Sequence, residues 1–217
     1  MRKYKFAVIG GGLSGCEIAY ELALLGKKPC IVEMKDDLIS QTGVCLANSS
    51  YLREWFALNN VPVYLETALR EVKLPDSLRK IGSGVFENTA LESIDIPDGV
   101  ERIGTNVFMY CTKLRHVTLP ENLDSIPMYA FAWCESLEEI RIPAPVRYIA
   151  NGAFEDCYAL TSVTIPDRTE YICPEAFAEC TALEEINIPG NTKKIMGNAF
   201  RGCTALKEIT LPESVTE

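Results

Sequence analysis

The sequence predicts an α/β protein built in two parts, a short βαβ unit followed along the chain by a solenoid of stacked repeats. Two observations support this prediction. A glycine-rich turn near the N-terminus joins an apolar stretch to an amphipathic segment. Farther along, one pattern of 23 residues recurs through the rest of the sequence. We therefore expect the βαβ unit in residues 1–66 and the repeats in residues 67–217.

The first part has the pattern of a strand, a helix and a second strand. Phe6–Ile9 is short and apolar, as a buried parallel strand requires. The amphipathic segment that follows has apolar residues at helical spacing and stops at Gly26, a residue type common at helix ends. Pro29–Glu33 is a second apolar run that ends in an acid. This order predicts a parallel βαβ unit.

The turn between the first strand and the helix carries a G-x-G-x-x-G motif. Gly10, Gly12 and Gly15 form it, and Glu33 follows Gly10 after 23 positions. In such motifs the first glycine makes the turn, the second lets the backbone approach a pyrophosphate, and the third lets helix and strand pack closely. The acid binds the ribose hydroxyls. These four residues are therefore the candidate cofactor-binding residues.

This segment resembles the pyridine-nucleotide-binding part of flavin-dependent NADH oxidoreductases related to the 2-enoate reductases. The resemblance rests on GGG-x-x-G-C-E, on V-E-M and on the stretch Tyr51–Val63, and it ends near residue 65. The flavin-bearing barrel and iron–sulfur cysteines of that family have no counterpart in the repeats. Because a dinucleotide lies across two such halves, two interpretations stay open. Residues 1–66 are either a partial Rossmann unit that caps the first repeat without a cofactor, or they retain binding of NAD or FAD.

The second part repeats one pattern six times. Phenylalanine recurs every 23 residues, and a cysteine follows each one three residues later: Phe108, Phe131, Phe154, Phe177 and Phe200, with Cys111, Cys134, Cys157, Cys180 and Cys203. A fixed period of this length predicts a solenoid whose units bury their apolar faces against one another. In the first copy Phe86 is followed by Glu87-Asn88-Thr89, the cysteine is missing and one residue is lost. We expect a tighter turn with fewer core contacts there.

The copy at residues 142–164 illustrates how one repeat folds. Leu160–Ile165 fits L-x-x-L-x-L, so we expect a strand whose side chains alternate between core and solvent. Asn151–Phe154 is a tight turn or single helical turn that places the phenylalanine in the interior. The same strand pattern at residues 69–74 predicts a seventh strand. The A-F-x-x-C-x-x-L and I-P pattern resembles the BspA-like leucine-rich repeats of bacterial proteins, and this resemblance implies a leucine-rich repeat solenoid.

The outward strand positions define a polar surface that we call the concave face. Its central residues are the candidate interaction surface: His116, Thr118, Glu139, Arg141, Ser162, Thr164, Glu185 and Asn187. The same positions in the outer copies extend it: Glu71, Lys73, Ser93, Asp95, Glu208 and Thr210. The large aromatic residues fall instead in the turns: Tyr110, Tyr129, Trp133 and Tyr158. This aromatic flank is the alternative binding surface.

Charge and composition exclude several classes of function. The net charge of −9 lies on the repeats, because residues 1–66 carry seven basic and seven acidic residues. We expect no nucleic-acid partner, since such binding needs clustered lysine and arginine. No apolar run approaches the roughly 18 residues that a membrane helix needs. His116, the only histidine, has no partners at metal-ligand spacing, and no nucleophile, base and acid group together, so we expect no catalytic and no metal residues.

Nine cysteines raise the question of redox state. Five of them occupy one position of the repeat, where neighbours stack about 5 Å apart. Free cysteine packs as a small buried apolar residue, so we expect reduced thiols, although stacked neighbours are also close enough for disulfides. Cys45 and Cys173 fall outside this column and are interpreted as incidental.

The best functional hypothesis is a non-enzymatic binding or scaffold protein whose partner is another protein or a surface glycan. One alternative is an NAD(H)- or FAD-binding protein that uses its repeats as a recognition arm. Another is a chimeric or truncated gene product without selected activity. Because no clear export signal is recognisable, we expect a cytoplasmic location. Leu13–Cys16 also resembles a lipoprotein cleavage box, which would place the protein on the cell surface through Cys16.

Overall fold

A computed structural model of the chain describes residues 6–9, 20, 22–26, 29–32, 54–61, 63–64 and 72–216. The chain divides into two compact units, Met1–Leu69 and Arg70–Glu217. The boundary expected from the sequence lies three residues before this division.

The N-terminal unit contains a parallel three-stranded sheet. Its strands are β1 (Phe6–Ile9), β2 (Pro29–Val32) and β3 (Val63–Tyr64), in the order β1-β2-β3. Residues 22–24 are helical and lie between β1 and β2 in sequence, and residues 54–58 are helical before β3. The predicted βαβ unit is therefore confirmed, since two parallel strands joined through a helix are its defining feature.

The first five repeats of the second unit each contribute two short strands and one turn, and the last contributes one strand. The strands of the concave face are β5 (Ser93–Asp95), β7 (His116–Thr118), β9 (Glu139–Arg141), β11 (Ser162–Thr164) and β13 (Glu185–Ile186). Those of a second face are β4 (Lys80–Ile81), β6 (Arg102–Ile103), β8 (Ser125–Ile126), β10 (Tyr148–Ile149), β12 (Tyr171–Ile172) and β14 (Lys194–Ile195). All pairs are parallel and join residues of neighbouring repeats. This is the predicted leucine-rich repeat solenoid.

The stacked phenylalanines form the centre of the core. Consecutive ring centroids from Phe86 to Phe200 are 5.2–5.6 Å apart, and the ring planes are parallel to within 16°. Phe154 is fully buried, and its N–H donates to the carbonyl of Ala176 in the next repeat at 2.8 Å. The same bond joins Phe131 to Ala153 at 2.9 Å. The phenylalanine spacing therefore identified the core correctly.

The turns that hold these rings need an unusual backbone. Two positions in each repeat, two residues before and two residues after the phenylalanine, have φ between 52° and 76°: Gly84, Asn106, Tyr129, Gly152, Glu175 and Asn198, and Asn88, Tyr110, Trp133, Asp156, Glu179 and Gly202. Glycine and asparagine enter this left-handed region more readily than other residues. Tyrosine, tryptophan and glutamate are thus held there by the packing of the solenoid.

The cysteine column is buried beside the rings. The Cys157 thiol donates a hydrogen bond to the carbonyl of Phe131 in the preceding repeat at 3.2 Å, and Cys180 donates to Phe154 at 3.1 Å. Burial raises the pKa of both thiols well above the ordinary value of 9.0. A protonated thiol is the form that can donate such a bond, so packing and protonation favour the same state.

The first copy keeps a buried core although its cysteine is missing. Thr89 takes the cysteine position and is buried, with its hydroxyl donating to the carbonyl of Phe86 at 2.9 Å. Its oxygen also lies 3.3 Å from the Cys111 sulfur. Leu91, which follows the lost residue, is fully buried. The Thr89 hydroxyl thus replaces the thiol in the core, and the tighter turn with fewer core contacts stays a prediction.

The prediction of a seventh strand at residues 69–74 is wrong within the described residues. Residues 69–71 of the expected seventh strand, including Glu71, lie outside the described part of the chain. Residues 72–74 are described and form no strand. Residues 207–210 of the last copy form none either, although Glu208 and Thr210 are exposed.

We predict that the column thiols are reduced and protected. Alkylation of the native protein should modify few of the five, whereas denaturation without reductant should release all of them: Cys111, Cys134, Cys157, Cys180 and Cys203. The physical reason is that the thiolate, the reactive form, is disfavoured by burial. Thiols that remain missing from a titration of the denatured, unreduced protein would reveal disulfides and contradict this prediction.

The same burial predicts a loss of stability at alkaline pH. Burial raises the folded-state pKa of Cys134, Cys157 and Cys180 above the unfolded value near 9.0. Their contribution to stability is therefore complete below about pH 9 and falls as the pH rises through the folded-state pKa values. Urea denaturation between pH 7 and about pH 10.5 measures this, and Cys157→Ala should reduce the slope. A slope that is unchanged by that substitution would contradict the assignment.

Candidate interaction surface

The concave face follows from the alternation of side chains along three-residue strands. In β11 the side chain of Val163 is buried, whereas those of Ser162 and Thr164 are exposed. The register places Ser162 beside Glu139 in β9 and Glu185 in β13. All eight candidate residues have exposed side chains. The structure therefore brings the residues singled out in the sequence onto one continuous surface.

Two shallow depressions lie on this face and share their central residues. One lies over β7, β9 and β11, and the other lies over β11, β13 and residues 207–212. Ser162 and Thr164 line both depressions. The centre of the face is thus a hydroxyl-bearing strand with charged residues on either side.

Two of the candidate residues pair with neighbours on or beside the face. The Thr118 hydroxyl donates a hydrogen bond to a carboxylate oxygen of Asp95 at 2.6 Å. Arg141 forms an ion pair with Glu121. Both Arg141 and Glu121 remain more than half exposed, so this pair contributes little to stability and is open to exchange with a partner.

Asn187 is committed to the fold more than its sequence position suggests. Its side-chain amide donates to the carbonyl of Ile165 at 2.9 Å and accepts from the N–H of Ile165 at 2.8 Å. In the first copies the equivalent N–H, that of Ile96, donates to the main-chain carbonyl of Thr118 instead. The amide of Asn187 therefore replaces the main-chain hydrogen bonding between strands at the point where β13 ends. Its polar group is not free for a ligand, unlike those of the hydroxyl-bearing residues beside it.

The aromatic flank is resolved into a ladder of three rings. Tyr110 and Trp133 have ring centroids 5.6 Å apart, and Trp133 and Tyr158 meet edge to face at 6.4 Å. Tyr110 and Tyr158 are 40% and 38% exposed. Tyr129 does not join them, because its ring packs against the backbone of Gly152, where an added Cβ would lie 2.2 Å from it. We call Tyr110, Trp133 and Tyr158 the aromatic ladder.

Carboxylates surround one end of this ladder. The Tyr158 hydroxyl donates to a carboxylate oxygen of Asp156 at 2.7 Å. This bond, with the nearby negative charges of Glu135 and Glu179, raises the pKa of Tyr158 to about 12. Glu179 also pairs with Arg201 at 3.2 Å. The ladder therefore lies in a region of negative potential.

One arginine forms ion pairs with three carboxylates in the neighbouring turns. The Arg201 guanidinium lies 3.2 Å from Glu179, 3.6 Å from Glu175 and 3.9 Å from Glu155. Partial burial, followed by the charge of Glu175, raises the pKa of Glu155. The cluster keeps an excess of negative charge, which agrees with the acidic balance of the repeats.

The candidate cofactor residues lie outside the described part of the chain. These are Gly10, Gly12, Gly15 and Glu33, and β1 ends at Ile9, directly before the motif. Cofactor binding by these residues stays a prediction. Among the described residues, no group of three His, Cys, Asp or Glu side chains is arranged to hold a metal ion. Within the same residues, no helix has the length and apolar character to cross a membrane.

Two known families match the chain, one over the repeats and one over the N-terminal part, and their matches overlap at residues 63–81. The BspA type leucine rich repeat region matches residues 63–158 and 124–217, with six copies. The pyridine nucleotide-disulphide oxidoreductase family matches residues 5–81. Both resemblances inferred from the sequence are thereby confirmed.

Solved structures of bacterial leucine-rich repeat proteins share the solenoid. A leucine-rich repeat protein of T. pallidum is 30% identical with a TM-score of 0.61, covering 67% of this chain and 70% of its own. A leucine-rich cell surface protein of Faecalibacterium prausnitzii is 30% identical with a TM-score of 0.50, covering 71% and 48%. A leucine-rich repeat protein of Eubacterium ventriosum is 26% identical with a TM-score of 0.55, covering 69% and 38%.

The N-terminal part matches a curated enzyme. A cinnamate reductase of Clostridium sporogenes is 42% identical over 60 residues, which are 27% of this chain. The chain spans only 9% of the length of that relative. The likeness therefore concerns a short segment of the enzyme.

Proposed function

The chain belongs to the BspA-type leucine-rich repeat family, and we propose that it is a non-enzymatic binding protein that contacts another protein through the concave face. The repeats of such solenoids create extended surfaces suited to this role. The observation that carries the proposal is the run of exposed side chains across β7, β9, β11 and β13, continuous over two depressions.

The chemistry of this face favours a protein over a surface glycan. Hydroxyls of Ser162 and Thr164 at its centre are flanked by charges of both signs, including Glu139 and Arg141. Charges of both signs allow a partner of complementary pattern to be selected and steered. The aromatic anchors common at tight interfaces are missing from the candidate residues, so we expect moderate affinity with a strong dependence on salt.

Thr164→Arg tests this proposal at the point that both depressions share. The long cationic side chain should block partner contact while leaving the buried Val163 untouched. Asn151→Arg is the matched control, since it adds the same side chain at an exposed turn position. Purified variants are compared by biolayer interferometry against panels of cell-surface proteins and of polysaccharides. Protein binding that is lost in Thr164→Arg and kept in Asn151→Arg supports the proposal.

Two outcomes of that comparison contradict it. Binding of polysaccharides alone would assign the face to a glycan. Protein binding that both variants retain would place the contact elsewhere on the chain. The cytoplasmic location expected from the sequence stays a prediction, and fractionation of the producing cell decides between it and the surface alternative through Cys16.

The second candidate function is nucleotide binding by the N-terminal unit. The parallel pair β1–β2 and the match to the oxidoreductase family over residues 5–81 favour it. Pyrophosphate would lie on the turn at Gly10, Gly12 and Gly15, and Glu33 would bind the adenosine ribose, with NAD or FAD as the cofactor. The alternative, a cap without a cofactor, also stays a prediction.

We predict that any such binding is weak. Half of a dinucleotide domain holds one mononucleotide, so calorimetry with NADH, NADPH and FAD should give dissociation constants of about 100 µM or weaker, or roughly −5 kcal/mol. No redox turnover is expected. Gly12→Val, which blocks approach of the backbone, is the control. Micromolar binding that this substitution abolishes would contradict the prediction and make the nucleotide site the main function.

A further inference from the structure

The aromatic ladder occupies a column of the turns where its residues are poorly suited to the backbone. Tyr110 has a φ of 61° and Trp133 a φ of 63°. The same column holds Asn88 in the first copy and Gly202 in the last, residue types that adopt this conformation readily. Bulky residues kept in this left-handed conformation are a feature of binding sites more than of ordinary turns.

The turns hold the backbone of these residues in place, but the core does not need their rings. The core is filled by the phenylalanine stack on the inner side of the same turns. Tyr110 and Tyr158 instead expose 40% and 38% of their surface, and Trp133 is half-buried between them. Rings that contribute little to the core and stay partly exposed are available to a ligand.

The charges beside the ladder select the kind of ligand. Asp156 and Glu179 follow Tyr110 and Trp133 in the same column, in the next two repeats. Glu135 lies close enough to Tyr158 to raise its pKa, together with Asp156 and Glu179. Aromatic faces and carboxylates share one preference, a cationic group. Glu135 is exposed, and the carboxylates around Arg201 outnumber this one cation, so an anionic ligand would be repelled.

We propose that the aromatic ladder and its carboxylates bind a lysine- or arginine-rich peptide segment of a partner protein. A cation placed over Trp133 would make a cation–π contact, and its neighbours along the peptide would pair with Glu135 and Glu179. This surface is formed by the turns rather than by the strands of the concave face. Its binding activity is therefore independent of the function proposed above.

The test uses the full-length protein and a fluorescein-labelled oligoarginine peptide, followed by anisotropy. Trp133→Asn removes the ring while keeping a residue that suits the backbone, as Asn88 does in the first copy. We expect it to weaken binding by about five-fold, the upper end of the range for a cation–π contact at an exposed site. Glu135→Gln with Glu179→Gln should weaken binding further and lessen its dependence on salt.

Tyr148→Leu is the matched control. Tyr148 is 42% exposed and stacks on Tyr171 at 5.0 Å, but Arg147 lies over its ring, so it is an exposed aromatic pair in a cationic setting. Peptide binding should be unchanged in this variant. Circular dichroism verifies that each variant is folded.

Three results would overturn the proposal. Trp133→Asn could bind oligoarginine as tightly as the parent, which would mean that the attraction is purely ionic. An oligoglutamate peptide could bind equally well, which would exclude selection by charge. A neutral polysaccharide could compete for the ladder, which would assign the rings to a glycan. Oligoarginine binding that is lost in Trp133→Asn and kept in the concave-face variant Thr164→Arg would show that the two sites are separate.

Discussion

Replacing Phe154 by alanine is expected to lower the free energy of unfolding by about 3–5 kcal/mol. The ring is fully buried and is stacked on Phe131 at 5.3 Å and on Phe177 at 5.2 Å. Its removal leaves a cavity that both adjacent repeats share. The repeat cannot collapse into this space, since main-chain bonds on either side hold the turns at a fixed spacing. Urea denaturation followed by circular dichroism measures the loss.

Phe200→Ala provides a matched control at the end of the stack. This ring has one described aromatic neighbour, Phe177 at 5.6 Å, and it is only half-buried. Its truncation should therefore cost less than half as much as that of Phe154. Equal losses at the two positions, or a loss below about 1 kcal/mol at Phe154, would contradict a core built on the phenylalanine column.

The period of 23 residues predicted the core well because it is a property of packing. Residues that recur at this interval must stack, so Phe154 and Cys157 could be assigned to the interior without coordinates. The exposed residues Ser162 and Thr164 followed from the alternation of the strand. The buried and exposed positions could be predicted because several copies repeat the same pattern, so that a change in one copy does not hide it.

The second face escaped prediction because its strands have only two residues. A polar residue followed by isoleucine recurs in every copy, as in Tyr148–Ile149, but two residues show no alternation. The strands exist because neighbouring copies supply partners: Ala150 N–H donates to the Ile126 carbonyl at 3.0 Å. Such pairing is a long-range property that local sequence does not carry.

One interruption of this face could have been predicted. Within residues 72–216, no strand pair joins β6 to β8 or β7 to β9. Pro127 stands where Gly104 donates its N–H to the preceding repeat, and proline has no N–H to donate. This accounts for the gap between β6 and β8. Beside the other gap, Arg115 and Glu138 are joined by a salt bridge of 3.0 Å.

The candidate surface was harder to predict than the core, because exposure alone does not say whether a group is free. Asn187 is exposed, yet its amide completes the pairing of Ile165. The three rings of the aromatic ladder lie in two sequence columns, and only the fold brings Tyr158 against Trp133. The sequence indicated which residues face outward, and the coordinates were needed to decide which of them act together.

Gly104→Ala is expected to destabilise the protein by about 1–3 kcal/mol, the cost of overpacking a rigid site. A Cβ at this position would lie 2.3 Å from the Ser83 nitrogen and 2.5 Å from the Gly82 carbonyl carbon. Both are main-chain atoms of the preceding repeat, so no side-chain rotation relieves the contact. Later copies carry Ala150 and Cys173 at the same position, and for this reason the sequence does not single out Gly104.

Gly197→Ala is the control for this substitution, since an added Cβ there meets nothing within 4 Å. It should leave stability unchanged or raise it by about 0.4–1 kcal/mol, because alanine restricts the unfolded chain more than glycine does. Both variants are compared by urea denaturation with the parent protein. Equal stability of Gly104→Ala and Gly197→Ala would contradict this prediction. It would mean that the first two turns lie farther apart than the 2.9 Å hydrogen bond from the Gly104 N–H to the Ile81 carbonyl allows.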